Sequence, residues 1–280
     1  MDGFRMRIVS LCPSNTELLG FMGLTSFIVG VDNYSDWPKE ITRLPRLGSD
    51  LDIDMDAVEA LHPDLVLASL TVPGMEKNIT GLEARGLPFI TLNPKSLSDI
   101  GNNILEVGKA TNLDVMAQEA YRKYHKLLEQ YTEFGRMVED RPLLYWEWWP
   151  KPVFTPGGSN WLTEVSTLAG GSNVFAMDER ASIRTDWEDV RKRNPDYILM
   201  AWVGVQERKM KPDLLKQRPD WLEMKAIKED RVIVMEESLY CRPSPRLLLG
   251  IQKLGSLLHP NLFPIYDEQK AEEWLCPSLG

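Results

Sequence analysis

Residues 114–138, DVMAQEAYRKYHKLLEQYTEFGRMV, constrain the fold of this chain more than any other stretch. No proline interrupts them, and their only glycine, Gly135, lies near the end. Apolar side chains recur at Val115, Met116, Ala120, Tyr124, Leu127, Leu128, Tyr131, Phe134 and Val138. That is the spacing of one helical face, with charges filling the other. Asp114 makes the first turn acidic and Arg136 the last turn basic, which suits the helix dipole. Such a helix extends about 37 Å, more than a small domain needs. The sequence on either side changes to short strands alternating with helices. The pattern predicts a rigid spine with one α/β lobe at each end; a long bundle helix within a single domain is the alternative.

The flanking segments divide as 1–96 for an N-terminal α/β lobe, 97–139 for connecting helices including the spine, and 140–280 for a C-terminal α/β lobe. In the first lobe, 6–12 reads as a buried strand ended by Pro13. Ser14, Asn15 or Thr16 then caps a helix that has Glu17 in its first turn. Strands follow at 27–31, 65–68 and 88–92, with helices at 55–61 and 75–85. In the second lobe, strands at 142–148, 197–201 and 232–235 alternate with helices. The last strong helix, 245–258, has Pro245 at its first position. Alternation of this kind gives parallel, doubly wound sheets.

One internal repeat ties the lobes together. DMDAVEALHPDLVLA in the first half matches DWEDVRKRNPDYILMA in the second at a constant offset. Asp54 pairs with Asp186, Asp56 with Glu188, Val58 with Val190, Pro63 with Pro195 and Asp64 with Asp196. Asp56 and Glu188 therefore take equivalent helix starts, one per lobe.

Net charge is −9, which favours neither nucleic acid nor an anionic membrane surface. No run approaches the length of a membrane span. Met1 to Arg7 is too short for a signal peptide. As written, the chain reads as cytoplasmic, or as extracytoplasmic if a leader has been removed. Cys12, Cys241 and Cys276 are odd in number and irregular in spacing, which argues against a disulfide framework and structural zinc. Cys12 and Cys241 read as buried, inert thiols.

In open α/β sheets ligands bind beyond the carboxyl ends of the strands. Three loops at such ends carry unusual residues: Tyr34, Asp36 and Trp37; Trp146, Trp148, Trp149 and Phe154; and Tyr240, Cys241, Arg242 and Arg246. Together they predict a cleft with aromatic walls and a few polar hooks. Alternation along the strand sends Trp146 and Trp148 to opposite faces, so at least one belongs to the core. Tyr240, after a strand and before a proline-rich turn, is the expected ligand contact. His62, His125 and His259 lie in unrelated places and make neither a metal triad nor a catalytic base. PGGSN lacks the lysine of a phosphate-binding loop, and no serine stands in a nucleophile elbow. No catalytic residue is identified, and the chain reads as a binding protein rather than an enzyme.

The motifs RIVSLCPSNTELLGFMG, GVDNYSDWP, LHPDLVLAS and CRPSPRLLLG resemble those of the class III substrate-binding proteins of bacterial ABC importers. That group binds cobalamin, haem and iron siderophores, and RIVSLCPSNTELL with YSDWP is closest to the cobalamin-binding branch. The resemblance implies two Rossmann-like lobes joined by a single long helix, with a corrinoid held between them. It implies ligand contacts from Tyr34, Trp148, Phe154, Tyr240 and Arg242 and from the backbone of Ser238 and Leu239. It implies docking on an ABC permease dimer through Asp56 and Glu188. The chain departs from that branch where two of its cleft tryptophans fall near Asp50 and on Ser182, and where an acidic contact falls on Ser238. A smaller corrinoid or another tetrapyrrole thus remains open. The expectation is a monomer with no cofactor and no resident metal, the macrocycle being cargo. An iron-siderophore or haem carrier is the alternative binding reading, and a metal chelatase on a related fold the alternative enzyme.

Overall fold

The computed structural model describes residues 6–275. Cys276 and most of the Met1–Arg7 stretch lie outside the described residues. The chain forms two compact units. The first runs to Lys126 and takes in Pro243–Pro245 and the segment from Asp267; the second is Leu127–Arg242 with Arg246–Tyr266.

The first unit contains β1 (Ile8–Ser10), α1 (Pro13–Phe21), β2 (Ile28–Val31), β3 (Gly48–Ser49), β4 (Asp52–Ile53), α2 (Met55–Ala60), β5 (Leu65–Ser69), α3 (Glu76–Arg85), β6 (Phe89–Leu92) and α4 (Leu97–Thr111). Its main sheet has the order β2-β1-β5-β6, all parallel. β1 and β5 are central and buried throughout, which is why they read as unbroken apolar runs with no alternation.

α5 (Asp114–Arg136) is a single unbroken helix of 23 residues. It begins where the periodicity places it and ends two residues short of Val138. Its two ends need small residues for close approach. A Cβ on Gly108 of α4 would lie 2.1 Å from Ala117 Cβ, and one on Gly135 would lie 3.0 Å from Thr167 O.

The second unit contains β7 (Leu143–Glu147), β8 (Trp149–Pro150), β9 (Val153–Pro156), α6 (Trp161–Leu168), β10 (Ser172–Asn173), β11 (Ser182–Thr185), α7 (Trp187–Arg193), β12 (Tyr197–Met200), α8 (Lys225–Lys228), β13 (Val232–Val234), α9 (Glu237–Tyr240) and α10 (Leu247–Leu258). α11 (Glu268–Leu275) belongs to the first unit. The parallel sheet is ordered β10-β7-β12-β13. Counted within its own sheet, each unit has strand order 2-1-3-4, so the topology repeats as the sequence does.

The repeat is also visible in side chains. Asp54 caps α2, accepting from the Asp56 and Ala57 N–H groups, and Asp186 caps α7, accepting from Asp189 N–H. Asp64 accepts from Arg7 N–H at 2.7 Å, and its own N–H donates to Arg7 O at 2.8 Å. Asp196 makes the same reciprocal pair with Leu143, at 2.7 and 2.8 Å. The aspartate of each Pro-Asp step thus clamps the start of the first strand of its unit.

Two local expectations are corrected, and one element is new. α1 starts at Pro13 with Cys12 as the residue before it and has no side-chain cap and no acidic residue in its first turn. Proline at the first helical position presets φ and has no N–H to satisfy. Asn15, freed from capping, instead donates to Leu67 O and Ala68 O. α10 begins at Leu247, so Pro245 lies outside it. The segment after β7 is an antiparallel sheet, β11-β9-β8, which alternating helix and strand signals did not suggest.

Candidate functional site

With strand order 2-1-3-4, strands two and three of each sheet lie on opposite sides of the first, and in open α/β sheets ligands bind beyond the carboxyl ends of the strands at such a reversal, here β1 and β5, and β7 and β12.

In the first unit the positions beyond β1 and β2 carry a buried polar network. Thr16 Oγ1 lies 2.8 Å from Ser10 Oγ and 2.7 Å from Ser35 Oγ. Ser35 in turn donates to Asp32, whose other oxygen accepts the Tyr34 N–H at 2.7 Å and the Ser35 N–H at 3.1 Å. Asp32 is fully buried and shapes the loop that leaves Tyr34 55% exposed. The Tyr34 ring is therefore open to solvent. Cys12 is buried, and burial pushes its thiol up to about 11. Burial likewise raises the Cys241 thiol. Cys12 is buried as expected, whereas Cys241 is half-buried and its thiol lies 3.5 Å from Ala201 O.

Burial also raises the Asp32 carboxyl above its ordinary 3.8, against the hydrogen bonds from Ser35 and the Tyr34 N–H. A carboxyl raised in the folded state contributes stability that is complete below its unfolded value and is lost as pH rises through its folded value. The melting temperature of the wild type relative to Asp32→Asn should therefore fall as pH rises from the ordinary carboxylate range to neutrality. Parallel curves for the two proteins would reject this.

In the second unit, β7 ends in Trp146, Glu147 and Trp148. Trp146 is fully buried and donates from Nε1 to Ser166 Oγ at 2.8 Å. Trp148 points to the same side, is half-buried, and lies 6.5 Å from Trp161. Its indole N–H is buried and has no hydrogen-bond partner among the described residues. An orphan buried donor is unusual in a folded protein and is a natural hook for a ligand acceptor. The expectation that at least one of the pair is core is met by Trp146; the expected opposite orientation is corrected, because residues two apart on a strand share a face and both indoles lie against α6. Phe154 is half-buried on β9, and the backbone N–H of Trp148 donates to its carbonyl at 2.9 Å.

Tyr240 is corrected. It is fully buried, its hydroxyl donates to Gly250 O at 3.0 Å, and its ring centroid lies 5.2 Å from that of Trp146. The absence of a side chain at Gly250 makes room for it: a Cβ there would lie 3.0 Å from the Tyr240 ring. Tyr240 is a core residue here. Leu239 is buried beside it in α9, and Ser238 is half-buried. Arg242 is buried and forks onto Glu237, with Nε at 3.0 Å and Nη2 at 2.9 Å from one oxygen.

Sequence reasoning missed a heavily bonded buried charge in this unit. Glu147, with no exposed surface, accepts from Arg218 Nη1 and Nη2 at 2.5 and 2.8 Å, from the Tyr145 hydroxyl at 2.9 Å and from Trp202 Nε1 at 3.0 Å. The available signal was a carboxylate inside the apolar run LLYWEWW, since a charge in a buried strand requires a partner. Trp202 follows β12 and is thereby fixed at the same sheet edge.

Asp56 and Glu188 are exposed at the first turns of α2 and α7. Each already has an arginine. Arg85 Nη2 lies 2.6 Å from Asp56, and Arg191 forks onto Glu188 at 2.8 Å from both nitrogens. The Arg191 hydrogen bond holds the Glu188 carboxyl below its usual range. Glu188 also borders an open groove of about 760 Å³, walled by Pro150, Pro152, Trp187 and Pro219. No helix among the described residues is long and apolar enough to cross a membrane.

A family model described as periplasmic binding protein matches residues 8–239. The ABC transporter substrate-binding lipoprotein YvrC of Bacillus subtilis is 28% identical over 262 residues, covering 92% of this chain and 81% of that protein. The vitamin B12-binding protein of Yersinia pestis is 29% identical over 256 residues, covering 89% of this chain and 84% of that protein. Among solved structures, the periplasmic vitamin B12 binding protein BtuF of Vibrio cholerae superposes with a TM-score of 0.72 at 24% identity, covering 90% of this chain and 96% of that one. The S. aureus IsdE structure complexed with heme superposes with a TM-score of 0.79 at 22% identity, covering 91% and 99%. At these identities the structural likenesses speak to fold.

Proposed function

The chain belongs to the periplasmic binding protein family, as the match over residues 8–239 shows, and from that premise we propose that it captures a corrinoid for ABC-type import. The observation that carries this reading is Trp148: an indole at the carboxyl end of β7 whose buried N–H has no protein acceptor. Phe154, half-buried on β9 of the same unit, is a second aromatic contact. The likeness to vitamin B12-binding proteins over most of the chain supports a corrinoid over other macrocycles. Tyr240 and Leu239 support the site from behind rather than touching the ligand. The protein acts without catalysis, as a monomer, outside the cytoplasmic membrane. It delivers its cargo to a permease dimer through Asp56 and Glu188, which exchange Arg85 and Arg191 for the partner's cations.

Calorimetric titration with cobalamin, cobinamide, haem and a ferric siderophore tests the ligand. Corrinoids should bind, and Trp148→Ala should weaken them by about thirtyfold, the effect of a hot-spot aromatic worth about 2 kcal/mol. Heat from haem or siderophore with none from either corrinoid would reject the assignment. Docking has its own test. Asp56→Lys with Glu188→Lys should leave ligand affinity unchanged and abolish uptake through a corrinoid permease; unaltered uptake would reduce both carboxylates to ordinary first-turn residues.

A further inference from the structure

The small antiparallel sheet of the second unit presents a row of side chains of which the proposed site has used only Phe154. In its register Trp149 lies directly opposite Phe154 on β9, and Phe154 lies directly opposite Arg184 on β11. Directly paired residues share a face, so the three side chains stand in line across the sheet. The alternate positions, Val153, Thr155 and Ile183, are all buried and face the core. The row itself is open: Trp149 is 42% exposed, Phe154 half-buried and Arg184 exposed.

Arg184 differs from its neighbours. Arg180 is held by Asp178, Arg191 by Glu188 and Arg193 by Asp189. The Arg184 guanidinium has no ion pair or side-chain hydrogen bond among the described residues. An uncommitted guanidinium in a chain of net charge −9 is a fork with five donors, matched in shape to a carboxylate. Strands lie about 4.8 Å apart, so the row is about 10 Å long, comparable with the width of a tetrapyrrole. The bond from the Trp148 backbone N–H to Phe154 O, at 2.9 Å, ties this row to the end of β7.

We infer that Trp149, Phe154 and Arg184 form an aromatic platform with a carboxylate clamp at one end, selecting a flat macrocycle that carries a free peripheral carboxylate. This rests on the reading of the ligand as a flat macrocycle and adds its charge class. Trp149 and Phe154 lie against the ring or its apolar edge, and Arg184 takes the carboxylate through two parallel N–H donors. A neutral amide at the same place accepts through one oxygen only and forgoes the charge.

The test uses matched pairs differing at the carboxylate: cobyric acid against cobinamide, and haem against haem dimethyl ester, each titrated by absorbance into wild type, Arg184→Gln and Trp149→Ala. Arg184→Gln should weaken the acid of the bound pair by about ten- to hundredfold, the scale of a hydrogen bond between charged groups. It should leave the amide or ester within about twofold. Trp149→Ala should weaken both members alike. Equal loss for both members with Arg184→Gln, or no loss for either, overturns the clamp. If only the porphyrin pair binds wild type, the corrinoid reading fails while the clamp is still decided by that pair. If no macrocycle binds, both fail. Arg184 is exposed, so an unchanged melting temperature in Arg184→Gln separates loss of contact from loss of fold.

Discussion

Glu147→Ala should destabilise the protein by about 3–5 kcal/mol, the cost of removing one partner of a buried ion pair. The carboxylate ends β7 with no exposed surface, and Arg218 forks onto both of its oxygens. The guanidinium lies over two indoles, with its carbon 4.3 Å from the Trp221 ring centroid and 4.9 Å from that of Trp187. Deleting the carboxylate would leave that cation without a counter-charge where water is scarce. It would also orphan the Tyr145 hydroxyl and the Trp202 N–H, each a further desolvation penalty. Burial, with the Glu147 charge beside it, raises Tyr145 well above the ordinary phenol value, so this hydroxyl remains a donor at any ordinary pH. The same physics sets the sign for the double variant. Glu147→Leu with Arg218→Met removes both charges together and should cost less than Glu147→Ala alone. Urea denaturation of the three proteins decides it. A cost below about 1 kcal/mol for Glu147→Ala would mean that the pair behaves as a solvated one and that the indoles, not the ions, hold this corner.

What could be read from the sequence was local. The spine is legible because eight of the nine apolar residues keep one period without a proline, Val115 alone falling off the face and staying exposed, and α5 forms there. Asp54 and Asp186 are legible as helix starts because a cap needs only its own next few N–H groups. The Pro-Asp repeat is legible because two copies carry the same short signals, although the reciprocal bonds to Arg7 and Leu143 that explain it join positions more than 50 residues apart. The illegible parts all depend on distant partners. Glu147 and Arg218 are 71 residues apart, and nothing near either one names the other. The hairpin of β8 and β9 lies within WWPKPVFTP, where prolines mask strand alternation. Aromatic residues after strands look the same in sequence whether they face a ligand or a glycine on a neighbouring helix. Tyr34 is exposed and Tyr240 enclosed, though each follows a strand.

Tyr240 is where that ambiguity has the largest energetic consequence. Tyr240→Ala should destabilise the second unit by about 3–5 kcal/mol, as removal of a large core aromatic does. The ring fills space against Trp146 and above Gly250, and the helix packing there cannot collapse to refill it without moving α10, whose Gly250 already sits close to Leu239 O. Tyr240→Phe keeps the ring and removes only the hydroxyl bond to Gly250 O, for about 1 kcal/mol. Neither substitution removes a ligand-facing surface. Tyr240→Phe, measured by urea denaturation and by corrinoid titration on the same preparation, should therefore lose stability and keep its dissociation constant. Trp148→Ala should do the reverse, with a large loss of affinity and a smaller loss of stability, because its indole is half-buried and its N–H has no protein partner. Full stability with weakened binding in Tyr240→Phe would instead make the hydroxyl a ligand contact, and the packing against Gly250 would then have to open when ligand binds.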